Sequence, residues 1–186
     1  SIIRIDYVSN QIQPLFLKHY GISPWEINVI TSILDKRFKT EDEEIENTYE
    51  SKFVSYLEIS FPYSFNEEFF RWFDFKEWDR LKGVFKEMKR RRGNGKAIKI
   101  ELHFSGEPNI TFVIQSDLSQ WFKMEVEKID FVVELLPYHL EPDKIPNGVK
   151  RVVYNFDQNA ARWRLNTVYT DNKIFVNSEN GWKLTT

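Results

Sequence analysis

Cysteine is absent from this 186-residue sequence, and histidine, glycine and proline are scarce, with 3, 7 and 7 copies. The absence of cysteine excludes disulfides, thiolate zinc sites and cysteine nucleophiles. Three scattered histidines argue against a catalytic metal cage, so we expect no metal ion and no cofactor. No apolar run approaches the roughly 18 residues of a membrane-spanning helix. Because the sequence also begins without a charged and then apolar leader, we expect a cytoplasmic protein with no membrane partner.

Aromatic side chains are abundant instead, since 16 Phe, 8 Tyr and 6 Trp make up 16% of the chain. A sequence of this kind can bury a packed core, and its length favours a single domain over residues 1–186. The net charge of −2 comes from 26 basic and 28 acidic residues. It is an average over an acidic run at residues 41–46 and a basic run at residues 86–96.

Two helices are predicted before the acidic run, which is itself predicted to be a loop. Apolar residues recur at helical spacing over residues 12–20, and Gly21 can end that helix in a left-handed conformation. Ser23 and Glu26 form a capping box with Pro24 at the first helical position, which predicts the second helix. We therefore expect residues 1–40 to form a helical appendage.

The pattern from residue 52 to residue 156 predicts the order β-α-β-β-α-β. Alternating apolar residues predict strands near 53–61, 98–104, 110–114 and 149–156. A helix cap at Asp74 predicts one helix, and a long apolar stripe predicts another over 118–136. This order is typical of a ferredoxin-like or RRM-like α+β core. Residues 157–186 are predicted to add an antiparallel hairpin extension with tight turns at 171–172 and 180–181.

The basic run allows two interpretations. Its cations are Lys86, Lys89, Arg90, Arg91, Arg92 and Lys96. They are either the solvated end of a helix, where positive charge interacts favourably with the helix dipole, or a surface that contacts phosphates. The second interpretation is physically reasonable because Lys and Arg release counterions when they bind nucleic acid.

An aromatic cluster precedes the basic run. It consists of Phe65, Phe69, Phe70, Trp72, Phe73, Phe75 and Trp78. In one interpretation this segment packs beneath the N-terminal helices. In the other, the rings that fall off the apolar stripe, Trp72 and Phe75, stack on single-stranded bases.

Charged residues also alternate along the predicted strands. Glu58, Glu101 and His103 lie on the outer face of the predicted sheet, where they are either simply exposed or able to perform acid–base chemistry or hold Mg²⁺. Arg162 and Arg164 project to one side of a later strand. They either pair with carboxylates across strands or bind phosphate.

The order of these motifs resembles that of archaeo-eukaryotic primase small subunits. Residues 56–60 (YLEIS) are similar in position to the Asp-x-Asp motif of that family, and residues 104–106 (FSG) look like the start of its Ser-Gly motif. Residues 161–165 (ARWRL) are similar to its Arg-rich strand, and residues 12–20 look like its helical beginning. The resemblance implies an RRM-like core that handles nucleotides.

Several positions depart from the primase pattern. Glu58 and Ser60 replace the two metal-binding aspartates, and Thr111 stands where the nucleotide-contacting histidine would be. Asp157 provides a third acidic residue only at a shortened spacing, and the zinc-binding cysteines common in the family are absent. The resemblance therefore implies a relative that has lost phosphoryl transfer by two Mg²⁺ ions and has kept a structural or nucleic-acid-binding role.

Together these features favour a non-catalytic protein that binds single-stranded nucleic acid or assists replication. We call the expected binding residues the predicted interface: Lys86, Lys89, Arg90, Arg91, Arg92, Lys96, Trp72, Phe75, Arg162 and Arg164. The alternative is a protein–protein adaptor or inhibitor that uses the aromatic region 65–78 and the acidic run 41–46. An enzyme built on Glu58, Glu101 and His103 ranks third, and we predict no catalytic residue.

Overall fold

The computed structural model describes residues 12–47 and 52–185. These residues contain nine strands and five helices. The strands are β1 (Pro14–Tyr20), β2 (Lys39–Glu44), β3 (Ser55–Phe61), β4 (Ile98–Phe104), β5 (Asn109–Ile114), β6 (Arg151–Asp157), β7 (Arg162–Tyr169), β8 (Ile174–Ser178) and β9 (Gly181–Thr185). The helices are α1 (Pro24–Leu34), α2 (Glu67–Phe73), α3 (Phe75–Arg92), α4 (Ser119–Glu127) and α5 (Val132–His139). All nine strands belong to one mixed sheet in the order β2-β1-β3-β4-β5-β6-β7-β8-β9.

Three βαβ units build the first six strands. The two strands of each unit are parallel direct neighbours: β1 with β2, β3 with β4, and β5 with β6. The connections contain α1 in the first unit, α2 and α3 in the second, and α4 and α5 in the third. After β6 the chain continues the sheet as an antiparallel meander through β7, β8 and β9.

The α+β class is confirmed, and β3 to β6 lie close to the strands predicted within residues 52–156. Two helices stand where each single helix was predicted, and the ferredoxin-like arrangement is not confirmed. A split βαβ unit places another strand between its two parallel strands, whereas here each parallel pair is directly hydrogen-bonded. The nine-stranded sheet is also larger than a ferredoxin-like core. The predicted antiparallel extension is confirmed, and it forms β7 to β9.

The N-terminal region is not the helical appendage predicted from the sequence. Residues 14–20 form β1, in which Leu15 and Leu17 are buried while Phe16 and Lys18 are exposed. This alternation has the period of a strand, and pairing with β2 and β3 on either side selects it over the helical spacing. Gly21 does adopt a positive φ of 65°, but it ends a strand rather than a helix. Residues 1–11 of the expected appendage lie outside the described residues.

Three further elements differ from expectation. Most of the acidic run belongs to β2, an exposed edge strand rather than a loop. The helix predicted over 118–136 is two helices, and in the break between them Asp130 accepts hydrogen bonds from Trp78 and Lys82 at 3.3 and 3.4 Å. The short helix α2 has no counterpart in the sequence prediction. By contrast, the capping box of Ser23 and Glu26 is confirmed at the start of α1.

The helices cover one face of the sheet. Phe61 on β3 and Phe104 on β4 stack at 4.8 Å, and Phe69 of α2 packs edge-on against both rings. Full burial of a phenylalanine contributes about 1.5–3 kcal/mol, so this aromatic layer accounts for much of the packing between sheet and helices. No described helix covers the opposite face, which we call the open face. None of the described helices is both long and apolar enough to cross a membrane.

Candidate functional site

The predicted interface does not come together on one surface. Trp72 lies near the end of α2 and Phe75 begins α3, whereas Arg92 ends α3. The 18 residues of this helix separate its ends by roughly 25 Å. Arg164 projects from the open face, because its neighbour Trp163 on β7 is buried beneath the helices and side chains alternate along a strand.

The aromatic cluster is mostly core. Trp72 and Phe75 are 39% and 49% exposed. Trp72 nevertheless packs against Phe38 and Tyr63, with ring centroids 5.1 and 4.7 Å away, and Phe75 stacks on Phe70 at 5.8 Å. Phe65, Phe69, Phe70, Phe73 and Trp78 are buried. They belong to the core, but Phe65 and Phe69 pack against rings of the sheet and not beneath two N-terminal helices as expected.

Lys89 of the basic run is buried and Arg92 is partly buried, although we expected both at the surface. Lys89 is only 1% exposed and donates to the Gly95 carbonyl at 3.1 Å. Arg92 forms a bidentate ion pair with Glu26, with nitrogen–oxygen distances of 2.7 and 2.8 Å. The Arg92 hydrogen bond is the main reason that the pKa of Glu26 falls to about 2. Neither side chain is available to a phosphate.

The exposed cations of α3 are neutralised by nearby carboxylates. Lys86 pairs with Glu127 of α4. Arg90 and Arg91 both contact Glu87, at 2.6 and 3.2 Å. This end of α3 therefore carries less net positive charge than its sequence indicates.

Arg164 is similarly neutralised. Its guanidinium contacts Asp157 on the neighbouring strand β6 at 3.1 Å, which supports the cross-strand interpretation for this residue. Arg162 lies directly opposite Asp157 in the β6–β7 register and is exposed.

A groove on the open face brings together several lysines and several rings. It has a volume of about 590 Å³ and lies over β1, β3 and β4. Its lining includes four lysines and three aromatic residues: Lys18, Lys52, Lys96, Lys99, Tyr20, Phe53 and Tyr56. The lining is completed by Ile45, Glu46, Glu58 and Glu101. Of the predicted interface, only Lys96 lies here.

Strand register determines which side chains meet in the groove. Tyr20 on β1 lies opposite Tyr56 on β3, and their rings stack at 5.6 Å. Lys18 lies opposite Glu58 across the same pair of strands. The parallel neighbour β4 places Lys99 beside Tyr56. Three strands that are distant in sequence thus supply one continuous surface.

Most of the groove lysines are not paired with carboxylates. Lys99 contacts Glu101 at 3.7 Å and lies 5.9 Å from the centre of the Phe53 ring. For Lys18, Lys52 and Lys96, no ion pair is formed with any residue in 12–47 or 52–185. These three ammonium groups are therefore the groove's available binding sites for anions.

A polar cluster borders the groove. The Tyr56 hydroxyl lies 2.8 Å from Glu58 Oε1 and 2.7 Å from Glu101 Oε2. Burial opposes ionisation of Glu101, but hydrogen bonds from His103 and Tyr56 and the charge of Lys99 outweigh it and lower the pKa of Glu101 to about 2. Burial and the Glu101 charge raise the pKa of Tyr56, so the phenol keeps its proton.

His103 completes this cluster. Its Nε2 lies 3.3 Å from Glu101 Oε2 and 3.7 Å from Glu58 Oε1. Its Nδ1 lies 3.1 Å from the hydroxyl of Thr111, which is 3% exposed. The imidazole is thus oriented by a buried group on β5 while its other nitrogen faces two carboxylates.

Sequence reasoning identified part of this surface. It placed Glu58, Glu101 and His103 on the outer face of the sheet, which is confirmed. It missed Lys18 and Tyr20, because residues 12–20 were predicted to be a helix. The alternation of buried Leu15 and Leu17 with charged or exposed neighbours was the signal that could have revealed them.

The chain matches no known protein-family model, and no curated protein or solved structure is significantly similar to it.

Proposed function

We propose that this protein binds single-stranded nucleic acid through the groove on the open face, in a structural or replication-accessory role. The observation that supports this proposal is the set of three groove lysines without a carboxylate partner among the described residues, next to the partly exposed rings of Phe53 and Tyr56. A backbone phosphate contacts an ammonium group and releases its counterions. The neighbouring base stacks on an aromatic ring, and such stacking contributes about 1–3 kcal/mol per base.

The open face offers a further ring beside the groove of about 590 Å³. Phe16 is half-exposed on the same face of β1. Phe16 and Lys18 therefore place a ring and a cation in succession along this strand.

The resemblance to primase small subunits stays a prediction, but it points to the same face. The positions it assigns to nucleotide handling include Glu58, Ser60 and Thr111. All three lie on the side of the sheet opposite the buried Leu57, Ile59 and Phe112.

Fluorescence anisotropy with labelled single-stranded DNA and RNA at two salt concentrations tests the proposal. The triple variant Lys18→Ala, Lys52→Ala, Lys96→Ala is expected to bind at least about tenfold more weakly at low salt. Removing three phosphate contacts should also lower the slope of log affinity against log salt by about 2, since each contact contributes about 0.7 for single strands.

The matched control carries the same loss of charge on the helix layer. The variant Lys86→Ala, Arg90→Ala, Arg91→Ala is expected to bind as tightly as the parent protein, because carboxylates already neutralise these cations. No binding of the parent protein at low salt would refute the proposed function. Loss of binding in the control but not in the groove variant would refute the proposed location.

The adaptor alternative is less well supported. Most rings of the aromatic region 65–78 are buried in the core and are not available as a hot-spot surface. The exposed acidic strand β2 still supports the adaptor alternative.

A further inference from the structure

Three side chains at the edge of the groove direct metal-binding atoms toward one point. A carboxylate oxygen from Glu58, another from Glu101 and a ring nitrogen of His103 all lie within 4.8 Å of one another. We propose that these residues bind one divalent cation of the Mn²⁺ or Zn²⁺ type. This reverses the expectation drawn from the sequence that no metal is bound, and it does not rest on the proposed function.

The distances between these atoms suit a common metal ion. Ligand atoms about 2.1 Å from a metal are separated by about 3.0 Å at an angle of 90° and by about 3.6 Å at 120°. The separations from His103 Nε2 are 3.3 Å to Glu101 and 3.7 Å to Glu58. All three atoms lie within 4.8 Å of one another, so side-chain rotation has to bring the two carboxylates closer together to complete the site.

The sheet itself forces the two carboxylates together. Glu58 and Glu101 are direct partners in the parallel β3–β4 register. Like charges placed opposite each other on adjacent strands are destabilising. A divalent cation between them converts this repulsion into two favourable contacts.

The Tyr56 hydroxyl cannot neutralise both carboxylates. It lies within hydrogen-bond distance of Glu58 Oε1 and of Glu101 Oε2, but a phenol has only one proton to donate. When both glutamates are ionised, one of these two short contacts therefore lacks a proton. When the proton of His103 is on Nδ1, Tyr56 and Lys99 are the donors that remain for the two carboxylates, and a bound cation would supply the contact that is missing.

Thr111 orients the imidazole for coordination. With the proton on Nδ1, His103 donates to the Thr111 hydroxyl at 3.1 Å, and the lone pair of Nε2 points toward the carboxylates. Metal-binding histidines commonly use their second nitrogen in this way. Thr111 is buried on β5, so the ring is held from outside the group of ligands.

The mixture of donors defines the class of ion. Imidazole nitrogen disfavours Mg²⁺ and Ca²⁺, whereas Mn²⁺ accepts carboxylate oxygen and Zn²⁺ binds both donor types. Three protein ligands leave coordination positions open on the side of the groove, which Glu58 and Glu101 both line. Two of the three ligands, Glu101 and His103, are not among the positions that the primase resemblance assigns.

Titration of the full chain tests the proposal. Isothermal calorimetry with Zn²⁺ and electron paramagnetic resonance with Mn²⁺ are expected to detect one site per chain. Glu101→Gln and His103→Ala should each weaken binding by at least about tenfold, and Thr111→Val should do so by about tenfold through the orientation of the ring. The control Glu46→Gln removes a carboxylate from the same groove but outside the cluster, and its affinity should equal that of the parent protein.

Nuclear magnetic resonance identifies the ligand directly and does not depend on whether the variants fold. Zn²⁺ is expected to shift the ¹⁵N resonance of His103 Nε2 while the ring resonances of His19 and His139 stay unchanged. Absence of binding to the folded parent protein up to about millimolar Zn²⁺ and Mn²⁺ would overturn the proposal. So would a Zn²⁺ shift confined to another histidine, or an affinity that Glu101→Gln leaves unchanged.

Discussion

At the scale of single residues, Arg92 forms a partly buried ion pair with the buried Glu26 and ties the end of α3 to the start of α1. The guanidinium also donates to the Gly21 carbonyl and to the Ser55 hydroxyl, at 3.2 and 2.9 Å. Removing one partner of a buried pair leaves an uncompensated charge. Arg92 is therefore a structural residue in a segment whose sequence indicates a ligand-binding surface.

Arg92→Ala is expected to lower the free energy of unfolding by about 3 kcal/mol at pH 7. The reason is that Glu26, 3% exposed, would keep only its hydrogen bonds to Ser23. Urea unfolding followed by tryptophan fluorescence measures this loss. Arg90→Ala is the control, and its effect should be much smaller because Arg90 is exposed.

The loss of unfolding free energy in Arg92→Ala should become smaller as the pH falls. Arg92 lowers the pKa of Glu26 from its ordinary value of 4.5 to about 2, so the stabilisation is fully present above about pH 5 and disappears as the pH falls toward 2. The difference between Arg92→Ala and the parent protein should shrink over this interval. A difference that stays constant from pH 7 to pH 2, or one as small as that of Arg90→Ala, would contradict the assignment.

Residue patterns predicted the open face only in part. The alternation within β3 and β4 is clear in the sequence, and it placed Glu58, Glu101 and His103 correctly. Their encounter with Lys18 and Tyr20 depends on the β1–β3 register, which no local pattern contains. For residues 12–20 the apolar positions fit both a helix and a strand, and only pairing with neighbouring strands decides between the two.

At the scale of elements, β2 is an unusual edge strand. Four of its six residues are acidic, and all four of these are exposed. It is hydrogen-bonded to β1 on one side, and none of the strands in the described ranges pairs with its other side. Charged residues on such an edge prevent pairing with the edge of another molecule.

Replacing the charges of β2 should therefore promote association. Glu41→Leu combined with Glu43→Leu is expected to shift the protein toward dimers or larger assemblies as concentration rises, measured by sedimentation velocity. The control Glu67→Leu with Glu68→Leu makes the same chemical change on α2, which has no free backbone edge. Equal association of both variants would indicate that hydrophobicity alone, and not the strand edge, is responsible.

The break between α4 and α5 could not be predicted from local sequence. The sequence between the helices contains neither glycine nor proline at residues 128–131, so periodicity alone extends one helix through it. The break places Asp130 against Trp78 and Lys82 of α3. A tertiary contact thus ends an element that has no local stop signal.

At the scale of the whole molecule, the available positive charge does not lie where the basic run of the sequence indicates. Lys86, Arg90, Arg91 and Arg92 form ion pairs on the helix layer. Lys96 of the same basic run instead meets Lys18, Lys52 and Lys99 on the open face. A net charge of −2 is compatible with a polyanion ligand that meets only this face. We therefore expect nucleic acid to bind the groove and not the end of α3.

Photo-crosslinking followed by peptide mass spectrometry tests this location most directly. A single-stranded oligonucleotide containing 5-bromodeoxyuridine, irradiated in complex with the full chain, reacts with the aromatic side chains that stack on its bases. We predict adducts at Phe53 or Tyr56, suppressed in the variant Lys18→Ala, Lys52→Ala, Lys96→Ala. Adducts at Trp72 or Phe75, with none in the groove, would contradict the account.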